Sequence, residues 1–99
     1  PYHAVIIPVK YADESQKRLA DQIYEELKRA HVEVILDDRN AGFGFKAKDW
    51  ELIGIPYQIV VGRDAVNGMV EFKVRANNTK EAMSSADALN NVITAVKNL

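Results

Sequence analysis

Between residues 36 and 51 the chain reads LDDRNAGFGFKAKDWE, which sets two adjacent carboxylates, an arginine and two glycines between a β-branched run and an apparent helix. GFGFKA, residues 42–47, has the G-x-G-x-x-A spacing of a dinucleotide cradle, with Asp64 downstream where such a site keeps an acid. That cradle needs its first glycine tight against a strand end, so that a helix N-terminus meets pyrophosphate, and here Asp37 and Asp38 intervene and repel one. A magnesium pocket beside a phosphoacceptor needs an aspartate at the end of the third strand, where this chain has Val60-Val61-Gly62. As metal ligands the two aspartates lack a third hard donor nearby, and His3 and His31 show no ligand spacing, so no metal is expected. Ser15, Ser84 and Ser85 sit at helix starts, where capping explains them, and there is neither a cysteine nor a G-x-S-x-G elbow. No catalytic residue is expected. Gly42 and Gly44 are read as bending a loop, shaped further by Asp37, Asp38 and Arg39, in which a carboxylate accepts backbone N–H bonds and the arginine pairs with an acid.

What remains is recognition. Glu51, Arg63, Asp64 and Lys80 fall on the second helix, the loop after the third strand and the exit of the fourth, mixing donors with acceptors. Such a mixture suits base edges better than phosphate alone: arginine and lysine donate to guanine O6 and N7, and carboxylates accept from amino groups. Single-stranded RNA offers those edges unstacked. Lys46, Lys73 and Arg75 are the expected phosphate contacts, and Trp50 is either core or contact. Because loops after parallel strands gather at one end of a sheet, these groups are expected at a single rim.

The elements that must position them follow from periodicity. Residues 3–9 and 32–36 are apolar runs of the kind a strand buried on both faces needs, joined by a helix that Asp13 caps and that turns Leu19, Ile23 and Leu27 inward. A second helix is expected over residues 45–53, stopped by Gly54 and Pro56, and a third strand over 57–61. Asn67-Gly68 signals a tight hairpin into an antiparallel fourth strand, 69–75, with Val70, Phe72 and Val74 on its dry face. Residues 80–83 add a short edge strand, and Ser84 or Ser85 caps a last helix carrying Leu89, Val92, Ile93 and Val96. The predicted architecture is a three-layer α/β/α sandwich on a five-stranded mixed sheet with three helices. Ninety-nine residues make one domain, 1–99, too small to hold a separate catalytic module. The opening Pro1-Tyr2-His3, without Met or leader, gives the expectation of a fragment. No apolar run approaches membrane length, the lack of cysteine fits a reducing compartment with cytoplasm as the default, and a net charge of −1 confines any polyanion contact to a local patch.

Taken together, VEVILDDR, GFKAKDWELIGIP, YQIVVG and VEFKVR, in that order and spacing, resemble the C-terminal anticodon-binding domain of class II aminoacyl-tRNA synthetases. The likeness covers essentially the whole chain, and DDR with LIGIP brings it nearer to the bacterial-type prolyl branch than to the threonyl, glycyl or histidyl ones. The resemblance implies a parent enzyme, a cytoplasmic homodimer, whose missing part holds the ATP, Mg²⁺ and proline, and it implies no cofactor and no catalysis in this domain. The implied partners are the anticodon stem-loop of proline tRNA and the rest of the synthetase chain. Family members recognise the second and third anticodon bases, both guanines, through an acid on the second helix, a basic-acidic pair after the third strand and a lysine past the fourth. Those positions resemble Glu51, Arg63 with Asp64, and Lys80, across a loop one residue shorter than in some relatives. Where relatives often carry a base-stacking phenylalanine this chain has Ala47, which leaves Phe45 or Trp50 for that role. A stand-alone interaction or regulatory module and a small nucleotide-binding enzyme stay open as alternatives.

Overall fold

An Asp13 carboxylate that accepts from the Gln16 amide at 3.1 Å starts the longest element, and the fold is organised around what that helix covers. The computed structural model describes residues 2–99; Pro1, the first residue of the expected domain, lies outside them. In chain order the elements are β1 (Ala4–Pro8), α1 (Glu14–Arg29), β2 (Val34–Leu36), α2 (Phe43–Ile53), β3 (Tyr57–Val61), a 3₁₀ helix (Arg63–Asn67), β4 (Met69–Val74), β5 (Thr79–Ser84) and α3 (Ser85–Lys97). The strands form one sheet in the order β2-β1-β3-β4-β5. β1 pairs in parallel with β2 and β3, and β4 runs antiparallel to both β3 and β5, so β4 alone opposes the rest.

Leu19, Ala20, Ile23 and Leu27 recur at three and four residue intervals, so α1 lays a continuous apolar stripe on the sheet. It packs there beside α3 against Ile6, Ile59, Val61, Val70 and Phe72. His31 adopts a left-handed backbone (φ 63°), which turns the chain out of α1 and lets the Val32 amide donate to Leu27 O at 3.0 Å. Ser84 caps α3 by accepting from the Asp87 amide at 3.1 Å. On the opposite face α2 lies over β1, with Phe43 and Trp50 against Val5, Ile7 and Ile55. This is the expected three-layer arrangement. The second outer layer is incomplete, however: no described helix covers the β4–β5 half of that face, where Glu71 and Lys73 are half-buried and Lys80 and Ala82 exposed.

Two local expectations need correction. α2 begins at Phe43, not 45, so Gly42 is its N-cap, in ordinary extended backbone (φ −62°, ψ 146°), and Gly44 lies within its first turn. A Cβ at either would meet nothing within 4 Å, so neither glycine bends a loop that another residue could not form. The glycines the backbone does favour are Gly54, left-handed at φ +87° where α2 stops, and Gly68, at φ +70°. The β3–β4 link is likewise not a two-residue Asn67-Gly68 turn. Ala65 is drawn into the core beneath α1, which winds residues 63–67 into a 3₁₀ helix that Gly68 closes by donating to Ala65 O at 3.0 Å.

Candidate functional site

Asp37 is the first residue past β2, still tied to the sheet by its amide, which donates to Ile6 O at 2.9 Å. Its buried carboxylate accepts from Arg39 Nε at 2.9 Å, Arg39 Nη2 at 2.8 Å and Trp50 Nε1 at 2.8 Å. Arg39 also reaches α2 directly, donating from Nη1 to Asp49 Oδ2 at 2.9 Å. Burial opposes ionisation of Asp37, yet the hydrogen bonds from Arg39 and Trp50 outweigh it and hold the carboxyl below its ordinary value. The same bonds to Asp37 and Asp49 raise the basicity of the Arg39 guanidinium. Asp38 is exposed beside this cluster.

Lys46, expected to meet phosphate, is fully buried. Its Nζ donates to Pro8 O at 2.8 Å and to Arg39 O at 3.1 Å, so the ammonium ties α2 to the end of β1 and to the preceding loop. Burial lowers its affinity for the proton, against the attraction of Asp37. Phe43, Lys46 and Trp50 recur at three- and four-residue intervals, so residue 46 shares the face of α2 that packs on the sheet. Trp50, read as a base contact or core, is half-buried with its indole N–H committed to Asp37. Phe45 is 75% exposed, but on the outer side of α2 with Leu52, lining a hollow apart from the groups described next.

Those groups line the uncovered half of the sheet. Glu51, in the last turn of α2, forms a hydrogen-bonded ion pair with Lys73 of β4, and the ammonium holds the Glu51 carboxyl below its usual range. With Gln58, Arg75 and Asn78 this pair lines a cleft of about 360 Å³. Gln58 is cross-strand from Lys73 and only 3% exposed, and its Oε1 has no hydrogen-bond partner among the described residues. Periodicity missed this residue; the available signal was a lone amide inside the apolar run YQIVV. Arg63 and Asp64, both exposed, line a second cleft of about 240 Å³ with Glu71 and Ala82. Lys80 lies between the two, opposite Lys73 across the β4–β5 ladder and 3.9 Å from Glu71.

The single rim expected for these residues is not what the fold provides. α2 ends just before β3 and Arg63 follows it, so Glu51 and Arg63 sit at opposite ends of that strand. A five-residue strand separates its ends by roughly 13–16 Å. The two clefts instead share one open face, along which donors and acceptors alternate. Each cleft holds at least one carboxylate and one cation, so either can present both signs to a nucleobase edge.

The family model described as the anticodon binding domain matches residues 3–95. The proline--tRNA ligase of Prochlorococcus marinus (strain MIT 9303) is 48% identical over 88 residues, covering 89% of this chain and 15% of that protein. The proline--tRNA ligase of Thermoanaerobacter pseudethanolicus is 39% identical over 97 residues, covering 98% of this chain and 17% of that protein. Among solved structures, prolyl-tRNA synthetase from Cryptosporidium parvum complexed with halofuginone and AMPPNP superposes with a TM-score of 0.78 at 28% identity, over 99% of this chain and 23% of that one. The chain thus spans only 15–17% of the length of these curated relatives.

Proposed function

We propose, from the premise that this chain belongs to the anticodon-binding domain family, that it reads the anticodon stem-loop of proline tRNA as one domain of a proline--tRNA ligase. The activity of the whole enzyme is then ATP-dependent prolyl-tRNA aminoacylation. We assign the ATP, Mg²⁺ and proline sites to the part of the ligase outside this chain, and no catalytic step to residues 1–99. The enzyme is proposed to be a cytoplasmic homodimer; among the described residues no helix is long and apolar enough to cross a membrane.

The observation that carries this reading is the cleft of Glu51, Lys73 and Gln58, a mixed donor and acceptor set on an uncovered sheet face. The Watson–Crick edge of guanine sets the O6 acceptor beside the N1–H and amino donors, so an acid and a donor side by side match it. Glu51 supplies the acid and Lys73 the donor, while the Gln58 amide gains the partner its oxygen lacks. Arg63, Asp64 and Lys80 offer a second such set for the second guanine, and exposed Arg75 remains available to phosphate.

The test compares stem-loops carrying the proline anticodon with stem-loops in which one guanine is exchanged. Replacing Glu51 or Arg63 by Ala weakens the matched RNA more than the exchanged one, by about 1–3 kcal/mol per good contact. Equal losses on both RNAs would rule out direct readout.

A further inference from the structure

α2 is held to the sheet mainly by directional bonds. Lys46 is the only one of its residues that is fully buried; Phe43 and Trp50 are half-buried, and Phe45, Leu52 and Ile53 face solvent. Apolar contact of that extent resists separation but permits a helix to roll about its axis. The bonds that oppose rolling are Lys46 to the end of β1, Arg39 to Asp49, Lys73 to Glu51, and Trp50 Nε1 to Asp37. The last of these acts on the residue immediately before Glu51, and its acceptor is itself fastened to β1 through the Asp37 amide and Ile6 O. A closed circuit results, running from β1 through Asp37, Trp50 and Glu51 to Lys73 and back into the same sheet.

Because helical residues are spaced 100° apart, the direction of the indole dictates the direction of the next side chain. With side chains reaching about 5–6 Å from the helix axis, a roll of roughly 20° carries the Glu51 carboxylate about 2 Å. Hydrogen bonds tolerate a window of only about 0.5 Å, so a roll of that size removes the contact to a base edge.

We infer that Asp37 and Trp50 are positioning residues that set the base selectivity of the Glu51 cleft, by fixing the rotation of the last turn of α2 at their shared hydrogen bond. The inference rests on the anticodon reading above. It gives Trp50 a function other than stacking, since the indole acts through Asp37 and touches no RNA. It also predicts an asymmetry. The second cleft, around Arg63 and Asp64, is built from β3, β4, β5 and the 3₁₀ helix, and no residue of α2 lines it.

The experiment measures, for this chain, the discrimination at each of the two guanine positions separately, using stem-loops with one guanine exchanged at a time. Trp50→Phe keeps an aromatic ring in the layer and removes only the N–H donor. It is expected to reduce discrimination at one position by at least about fivefold, the equivalent of one lost base contact, and to leave the other within about twofold. Asp49→Ala, at the exposed end of the Arg39 bridge, is expected to lower the same position by a smaller factor, about two- to threefold, and it keeps the test alive should Trp50→Phe not fold. Unchanged selectivity in a folded variant overturns the inference, and so does an equal loss at both positions, which would mark a merely structural role. If the unmodified chain discriminates at neither position, the anticodon reading fails and the inference with it. If it discriminates and Trp50→Phe does so equally, the inference fails alone.

Discussion

Replacing Lys46 separates a buried anchor from a phosphate contact, because the two roles predict opposite results in two assays. The side chain is fully buried, and its ammonium donates to Pro8 O and Arg39 O. Hydrogen bonds from a charged donor are worth about 1.5–3 kcal/mol each, so Lys46→Met forfeits roughly 3–6 kcal/mol of interaction while recovering the several kcal/mol it costs to keep an ammonium out of water. A net destabilisation of about 1–3 kcal/mol follows. Lys46→Ala also removes three methylenes, at about 0.8 kcal/mol each, and is expected to cost about 2 kcal/mol more. Urea unfolding measures both. The proton linkage gives an independent signature. Burial lowers the folded-state pKa of Lys46 below its unfolded value, so at intermediate alkaline pH the unfolded chain binds more protons. Wild-type stability therefore rises relative to Lys46→Met as pH climbs from the folded pKa toward about 10.4. In the RNA assay Lys46→Met leaves the dependence of log K on log salt unchanged. If the variant instead unfolds within about 0.5 kcal/mol of wild type and lowers that slope by about 0.7, the value for one single-strand phosphate contact, then Lys46 faces RNA and the account of α2 given above is wrong.

Lys73→Ala is expected to lower both the salt slope and the discrimination at one guanine, because Lys73 is paired with the acid of the first cleft; a uniform loss across RNA sequences would assign it to phosphate alone. Gly54→Ala is expected to cost about 1–2 kcal/mol in urea unfolding, through its left-handed backbone alone, since a Cβ there would make only ordinary contact with Arg75. Asp37 has a folded-state carboxyl pKa below the unfolded value, so its stabilisation is fully present above about pH 3.9 and is lost as pH falls through the lower folded value. Asp37→Asn is accordingly expected to be less stable than wild type at neutral pH and to lose less on acidification, as read by thermal melts between about pH 2 and 7.

The elements that read directly from the chain are those in which one pattern leaves no competitor. β3 occupies residues 57–61 as expected, because a β-branched run between Pro56 and Gly62 fits little else, and α1 follows from Asp13 and an uninterrupted apolar stripe. The burial of Lys46 was not legible. Its acceptors come from 38 and 7 residues away, and periodicity carries nothing about carbonyls that converge from a strand end and a loop. Gln58 was hidden by its neighbours: four apolar residues around it make the position look like core, whereas its amide borders the first cleft. The separation of Glu51 from Arg63 could have been reasoned out. A helix feeding the start of a strand delivers its last turn to the end opposite the loop that follows that strand, and the rule about loops after parallel strands does not apply to it.

The half of the sheet without a helix over it ends at β5, and the makeup of that margin bears on edge-to-edge association. An outermost strand with unpaired backbone groups is a template on which another chain can grow. β5 reads TKEAMS, with its first four residues exposed and adjacent opposite charges at Lys80 and Glu81. A second copy adding there would have to strip water from both charges and align them against its own, a poor exchange for a few backbone bonds. The polar border thus works against the use of that margin as a seed for fibrils while the sheet face beside it stays open to solvent.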